Sequence, residues 1–556
     1  MNNRSDLIAV ILIIILGVVV YFNSLTGEFI WDDNSLVKDN IYIKDLSHIT
    51  DIFIKGVDEH TGIGSSAISY SPIRFYRPLQ IYTYLIDHSL WKLDVRGYHL
   101  TNIILHILVS LTIYWLINIL FNDRIISFLT AAFFIVHPVH VEAVAYISGR
   151  ADSLAAFFML LCMVLYIKYL NSRSGVFYIA MLLAYALALL SKENSLILPV
   201  LLLFYHFTFK KRFHIKEFLP VVLLTACYVI VRLKILMLFP VSDLGPHALS
   251  QRIPGFFAAI IAYIRILFIP VSLHMEYGNR LFTLTDADVL AGICIFFLLL
   301  AAALLKRRSD NLMFFSIFWF FILLIPQSNI YPINTYMAEH WLYLPSIAFF
   351  LILARSLRRF LNIKNYKIAG VAACVFLLGF FSYLTIRQNS YWRNPLVFFK
   401  RTLRYAPGNV NILRWLAITY NEMGFREEAV DTYNKAIAIT PYDSSLYNNL
   451  AALYFALDNK EEAIRLFKKA IELERDSADS AIYYDNLAGA YRILGEEERA
   501  IFFHKRAIEV DPSFIKAYCS LAQTYIIFGK EEEAKESYKK ALQVNPDYVI
   551  RYFKIK

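Results

Sequence analysis

The chain has 556 residues, 58% of them apolar and 18% charged, with a net charge of +10. Globular chains average roughly 45–50% apolar residues, so a wholly soluble protein is excluded. The charge is also uneven: residues 401–556 hold 22 Lys/Arg and 23 Asp/Glu, leaving 33 and 22 for residues 1–400.

That division predicts a polytopic membrane domain over 1–390 and a water-soluble domain over 391–556. Basic residues of the first part gather in short clusters between apolar runs, such as Lys210-Lys211-Arg212, Lys306-Arg307-Arg308 and Arg355, Arg358, Arg359. This is the pattern of a topology signal rather than of a nucleic-acid surface, and no nucleic-acid partner is expected. Four of the five cysteines (Cys162, Cys227, Cys294, Cys374) lie inside apolar runs and Cys519 is alone in the soluble part, which gives neither a disulfide framework nor a zinc pattern.

In chain order, the run Leu7 to Phe22 has no small-residue cleavage site and reads as a retained anchor. Further runs long enough for the ~30 Å of a bilayer core fall near 99–121, 125–147, 151–170, 175–190, 194–209, 217–238, 288–305, 311–326, 340–357 and 366–387, about eleven spans in all. Another stretch, 253–272, is interrupted by Arg265 and Pro270 and is compatible with a span, a re-entrant segment or an interfacial helix. A cytoplasmic N-terminus places the Lys/Arg-rich loops on the cytoplasmic side. An odd span count then puts the C-terminal tail on the other side, with the large first loop 23–98 and the loops 136–152, 191–194, 239–287 and 327–340.

Nearly every carboxylate and histidine close to the membrane falls in those outer loops. Phe29-Ile30-Trp31-Asp32-Asp33-Asn34 brings two adjacent carboxylates to the membrane surface. Like charges so close push one pKa upward, which suits a base that takes a proton from an alcohol; an N-cap followed by a solvated Asp is the alternative. In an extended stretch the two side chains would face opposite ways, with Asp32 free to act as the base and Asp33 capping the turn that Asn34-Ser35 suggests. In Tyr76-Arg77-Pro78-Leu79, Arg77 can fork onto a lipid phosphate or close a structural ion pair. His99, Asn102 and His106 share one face of the second span, as buried packing or as part of a site.

The densest group is His137-Pro138-Val139-His140-Val141-Glu142, followed by Gly149-Arg150-Ala151-Asp152. His137, His140 and Glu142 are ligand types for a divalent metal, but they sit on a Pro-broken helix end without i, i+4 spacing; a hydrogen-bonding network around a polar substrate is the other reading. Lys192-Glu193, Arg232 and Glu339-His340 add polar groups at other outer ends, as site residues or as snorkelling and capping residues.

The tail is a repeat array. Leu416-Ala417 and Tyr420 recur as Leu450-Ala451 and Tyr454, Leu487-Ala488 and Tyr491, Leu521-Ala522 and Tyr525, at steps of 34, 37 and 34. Ala429 and Ala436 recur on the same steps, Pro407, Pro441, Pro512 and Pro546 close units, and Gly424, Gly495 and Gly529 mark inter-helix turns, with Asp458 where another glycine would stand. Four tetratricopeptide units, stacked as an α-solenoid with a concave groove, are expected, with a bulge at Ser477 to Ser480.

Trp31-Asp32-Asp33, Tyr76-Arg77-Pro78-Leu79, the His-Pro block through Ala145, Gly149-Arg150-Ala151-Asp152, Lys192-Glu193 and Ala338-Glu339 through Leu342-Tyr343-Leu344-Pro345-Ser346 together resemble the transmembrane O-mannosyltransferases with tetratricopeptide tails (TMTC-type), in the GT-C glycosyltransferase superfamily. The resemblance implies an all-α chain: a GT-C-like membrane domain, then the solenoid. It implies transfer of a sugar, mannose or another hexose, from a polyprenyl- or dolichyl-phosphate donor to Ser/Thr hydroxyls of protein on the non-cytoplasmic side, with inversion. The location implied is a bacterial inner membrane or the endoplasmic reticulum.

By the same resemblance Asp32 and Asp33 supply the acidic catalytic function, and Arg77, Arg150 and Lys192 are candidates for the donor phosphate. His137, His140, Glu142, Asp152, Glu193, Glu339 and His340 would support the site. No cofactor beyond the lipid-linked donor is implied. The family tends to have Glu-Arg where this chain has Glu339-His340, so a constant charge is replaced by one that depends on pH. The rival functions are a membrane scaffold that recruits partners through the repeats and a transferase of surface-polysaccharide assembly.

Overall fold

The computed structural model describes residues 3–54, 75–237, 248–278, 280–331, 333, 335–474, 477–544, 546 and 549. Parts of the outer loops expected at 23–98 and 239–287 lie outside these residues. The described secondary structure is helical throughout, and the chain divides into two compact units, one running to Ala406 and the other from Pro407.

In the first unit the helices are α1 (Asn3–Tyr21), α2 (Ile49–Ile54), α3 (Pro78–Trp91), α4 (Val95–Phe121), α5 (Arg124–Val136), α6 (Val141–Ala145), α7 (Arg150–Ser172), α8 (Gly175–Ser191), α9 (Leu198–Phe209), α10 (Ile215–Met237), α11 (Leu249–Phe268), α12 (Ala287–Lys306), α13 (Asn311–Leu324), α14 (Ser346–Asn362), α15 (Lys367–Tyr391) and α16 (Pro395–Tyr405). Among the described residues seven helical segments are long and apolar enough to cross a membrane, containing α1, α4, α7, α10, α11, α12 and α15. The pair α5 and α6, bent by 56° at Pro138, makes an eighth if it acts as one broken span.

The count differs from eleven uniform spans. The runs at 175–190, 194–209 and 311–326 are shorter apolar helices, and the run at 340–357 becomes a 3-10 turn, Glu339–Leu342, followed by α14. Breaks in the α-helical backbone, each a 3-10 turn, also fall at 138–140, 193–197 and 325–327. Irregular backbone at membrane depth is tolerated where protein buries it or where it lines a cavity, so these breaks mark the end of the bundle at which a site can be built.

Ion pairs define the opposite end. Arg124 meets Asp6 (3.0 Å), Arg358 meets Asp123 (3.2 Å), Arg173 meets Glu217 (2.6 Å), and Arg355 pairs with Asp310. Most of the stretch 253–272 is helical and belongs to α11. Near its start the Arg252 guanidinium donates to the Asn329 carbonyl (2.8 Å), and near its end the Leu267 carbonyl accepts from His137 (3.1 Å). Asn329 and His137 both follow helices that rise from the charged end. Both ends of the helix thus hydrogen-bond to segments that follow those helices, and by length and apolarity it is also a candidate span.

The second unit is built from antiparallel pairs: α17 (Val410–Glu422) with α18 (Arg426–Ile439), α19 (Ser444–Ala456) with α20 (Lys460–Leu473), α21 (Ser480–Ile493) with α22 (Glu497–Val510), and α23 (Ile515–Ile527) with α24 (Glu531–Val544). The repeat alanines explain the pairing. Ala417, Ala429, Ala436, Ala451, Ala463, Ala470, Ala488, Ala500 and Ala507 are all fully buried, so each helix approaches its partner with no side chain in the way. Gly424, Gly495 and Gly529 have φ of +83°, +78° and +75°, and Asp458 takes the equivalent turn at +63°.

Candidate active site

The site is built around the break in α5. Pro138 cannot continue the helix, and the His137 ring takes over as its cap: Nδ1 accepts from the Val139 N–H (3.3 Å) while Nε2 donates to the Leu267 carbonyl (3.1 Å). The following loop is clamped from two sides. Asn102 of α4 donates to the carbonyls of Val144 and Tyr146, each at 3.1 Å, and on α3 the Tyr84 hydroxyl donates to Ile147 (3.0 Å) and Gln80 to Ser148 (3.0 Å). A Cβ at Gly149 would stand 2.5 Å from the Glu142 carbonyl oxygen, so only glycine lets the chain fold back there.

The clamped loop receives Asp33. One carboxylate oxygen accepts from the Ser148 N–H (2.8 Å) and hydroxyl (2.5 Å), the other from the Ile30 N–H (3.1 Å), and the residue is buried. Burial pushes its pKa up to about 7 against those hydrogen bonds, and the charge of Asp32 is the smallest of the contributions. The upward shift thus comes mainly from desolvation, where the sequence pointed to the neighbouring charge. The backbone differs too. Asp33 is in the right-handed helical region, at φ −61° and ψ −31°, and caps no following turn with its side chain; it reaches three residues back.

Asp32 faces the other way. Its N–H donates to the Tyr146 hydroxyl (3.2 Å), which also hydrogen-bonds its carboxylate. Solvent reaches the residue, yet enough protein surrounds it that desolvation is the largest influence and raises its pKa, opposed by Tyr146 and the Arg77 charge. Trp31, at φ +53°, sets this turn in a conformation unusual for a bulky residue, with its ring against Phe398 and Phe399.

The three candidate cations have different surroundings. Arg77 forks onto Glu193 with both Nε (3.0 Å) and Nη2 (2.5 Å). Lys192 donates to Asp152 (2.6 Å) from the far end of α8. Arg150 is fully buried: it pairs with Asp87 (2.6 Å), donates to Asn102, Thr83 and the Tyr98 carbonyl, and stacks on Tyr84. Where the sequence left donor phosphate as the candidate partner of Arg150, the structure shows protein partners. All three guanidinium nitrogens are engaged inside the protein, and its role is to tie α7 to α3 and α4.

Glu142 accepts from both the backbone N–H (2.9 Å) and Nδ1 (2.7 Å) of His340. Glu339 accepts from the His274 N–H and the Tyr277 hydroxyl, both at 2.6 Å, and burial with the nearby Glu142 charge holds its pKa well above the usual carboxylate range. His140 lies against Phe134 and Tyr343, its Nε2 3.4 Å from the Ser346 hydroxyl. His137, His140 and Glu142 do not converge on a point, since His137 is occupied as a cap and Glu142 as the partner of His340. Among the described residues no group of three His, Cys, Asp or Glu is placed to hold a metal.

Residues 78–235 match the family described as dolichyl-phosphate-mannose-protein mannosyltransferase, and 409–473, 442–513 and 515–548 match tetratricopeptide-repeat families. Protein O-mannosyl-transferase F38B6.6 of Caenorhabditis elegans is 25% identical over 457 residues, 79% of this chain and 64% of that protein. The chain is thus similar to TMTC-type proteins over much of its length. Human TMTC1 is 26% identical over 78% of the chain and 55% of its own length, and human TMTC2 is 31% identical over 37% of the chain and 25% of its own length. The chain spans less than two thirds of each of these TMTC-type relatives.

Sequence reasoning missed Ser148, Tyr146, Gln80, Tyr84, His274 and Tyr277. For Ser148 a signal existed, its place directly before Gly149-Arg150. Gln80 and Tyr84 lie one turn apart on the helix opened by Arg77-Pro78, a helical spacing that only gains meaning once α3 is known to cover the loop.

Proposed function

We propose that the first unit is a glycosyltransferase of GT-C type that moves a hexose, mannose in the nearest analogy, from a polyprenyl- or dolichyl-phosphate donor to Ser/Thr hydroxyls of a protein bound by the repeats. The single observation that carries this reading is the unlike treatment of Asp32 and Asp33. Asp33 is locked by Ser148 and Ile30, while Asp32 is open and desolvated, which is the condition of a base that must meet an incoming hydroxyl. The match of residues 78–235 to a mannosyltransferase family supports it.

In the proposed step the acceptor oxygen attacks the anomeric carbon and its proton passes to Asp32. The bond from that carbon to the phosphate oxygen breaks, and the electron pair leaves with the phosphate, which goes from one negative charge to two. The anomeric centre inverts. The leaving phosphate needs cations rather than a proton; Lys192 and Arg77 are assigned to it, and the Arg77 charge already bears on Asp32. Site and repeats are assigned to the non-cytoplasmic side of the membrane, with the ion-paired end of the bundle and the N-terminus cytoplasmic.

Purified full-length protein incubated with mannosyl-phosphoryl-dolichol and a Ser/Thr-rich acceptor protein should give O-linked hexose by mass spectrometry. Release of the sugar without transfer to protein, or transfer only to glycan, would reject the protein acceptor.

A further inference from the structure

The last candidate span, α15, runs into a cluster of positive charge. From His340 to Asn421 the sequence holds no Asp or Glu, while Arg387, Arg393, Lys400, Arg401 and Arg404 follow one another across the end of α15 and along α16. Glu28 brings a carboxylate to this segment from elsewhere, accepting from the Asn394 side chain (3.1 Å). In the orientation proposed above the cluster is non-cytoplasmic, so the bias that gathers basic residues in the cytoplasm does not account for it.

The end of α15 carries the marks of a membrane surface. Tyr383, Arg387 and Tyr391 fall at i, i+4 and i+8, one face of a helix, with Tyr383 and Arg387 exposed and the Arg387 Nε donating to the Tyr391 hydroxyl (3.1 Å). Tyrosine and snorkelling arginine at the end of a span belong to the headgroup level. A few residues on, Asn394 starts α16 by accepting from the N–H groups of Leu396 (2.9 Å) and Val397 (3.3 Å). The two faces of α16 differ. Phe398, Phe399 and Thr402 are buried, the two rings against Trp31, and Arg401 turns inward to the Leu273 carbonyl (3.1 Å) with its guanidinium over the Tyr391 ring (3.6 Å). Val397, Lys400 and Arg404, at i, i+3 and i+7, form the opposite, exposed face.

We propose that the outer face of α16, together with Arg387 and Arg393, is a docking surface for the anionic phospholipid headgroups of the bilayer in which α15 ends. Charge and place name the occupant. Cations exposed next to the end of a span meet headgroup phosphates once that span is embedded, and each Lys or Arg near an anionic surface strengthens attachment about fivefold. The apolar face of α16 is already committed to the protein, so attachment is by charge rather than by insertion of that face, and salt screens it. The lipid is bulk phospholipid, not a sugar donor, and the surface stands whether or not the chain transfers sugar.

The test is photo-crosslinking of the full chain in phosphatidylcholine vesicles that contain the same small fraction of either phosphatidylglycerol or phosphatidylcholine bearing one photoactivatable acyl chain, with peptides covering 387–405 read by mass spectrometry. Phosphatidylglycerol should label this segment at least about fivefold more than phosphatidylcholine. The excess should disappear in R393Q/K400Q/R404Q and in about 1 M NaCl, where the Debye length is about 3 Å, and should survive added inorganic phosphate at constant ionic strength. Equal labelling by the two lipids, or an excess unchanged in the triple variant, would overturn the proposal. Loss of the excess to inorganic phosphate would also overturn it, by making the patch a site for a soluble anion. Should the variant fail to fold, the salt series with the parent chain still decides.

Discussion

The Asp33 carboxylate accepts two hydrogen bonds from one residue, the backbone N–H of Ser148 at 2.8 Å and its hydroxyl at 2.5 Å. This joins the first loop to the turn that follows the His-Pro block, 115 residues away. Ser148→Ala should therefore loosen the Asp32 turn without touching Asp32, costing about 1–3 kcal/mol of stability for the weakened buried acceptor. Thermal melting in detergent would show it, with sugar transfer reduced less than in Asp32→Asn.

The same contact sets a pH dependence. Asp33 has its folded pKa raised to about 7 from an ordinary value of 3.8, so the folded state holds a proton that the unfolded state releases between those values. Its contribution is fully present below pH 3.8 and is lost as pH rises through 7. The difference in melting temperature between parent and Asp33→Asn should change across that window in this direction. A difference constant from pH 4 to 7 would assign Asp33 an ordinary titration.

Arg150 should behave as a structural residue. Removing it leaves Asp87 buried without its partner, which costs about 3–5 kcal/mol, so Arg150→Met should lower expression and melting temperature sharply. A folded Arg150→Met protein defective only in donor binding would return Arg150 to the phosphate site.

In the repeats, Gly495 and Asp458 occupy equivalent turns at φ +78° and +63°. Gly495→Ala should destabilise the α21–α22 pair by about 1–2 kcal/mol, the cost of a Cβ in the left-handed region. Hydrogen exchange should quicken in those two helices, while Asp458→Gly should leave exchange in α19 and α20 unchanged or slower.

Topology is testable by reporter fusion. Fusions near Lys211 and after Lys556 should report opposite sides of the membrane. Fusions on either flank of α11, near 245 and near 283, should report the same side, because both ends of that helix meet the site end of the bundle. Opposite signals from the α11 pair would make it a span.

Much of this was legible from the chain alone because each feature rests on a local rule. The repeat alanines, the turn residue Asp458 and the long apolar runs express themselves in short windows. Arg150 is ambiguous in sequence for a physical reason: a guanidinium next to a membrane-end loop looks the same whether its partner is a phosphate or Asp87, 63 residues earlier. An extended course for Asp32 and Asp33, with Asp33 capping a turn at Asn34-Ser35, is what the residues suggest, and the positive φ of Trp31 before the helical turn there has no sequence signature. His340 drew notice as a departure from Glu-Arg, but its pairing with Glu142 spans 198 residues and only the folded bundle brings the two together.

The central claim is that Asp32 is the base of a sugar transfer. Single-turnover transfer from mannosyl-phosphoryl-dolichol to a Ser/Thr acceptor, measured with purified parent, Asp32→Asn and Asp32→Glu proteins of matched melting temperature, tests it most directly. Asp32→Asn should slow transfer by about 10²–10⁴-fold with donor binding unchanged, and Asp32→Glu should recover part of the rate. Near-parental transfer by a folded Asp32→Asn protein would contradict the account.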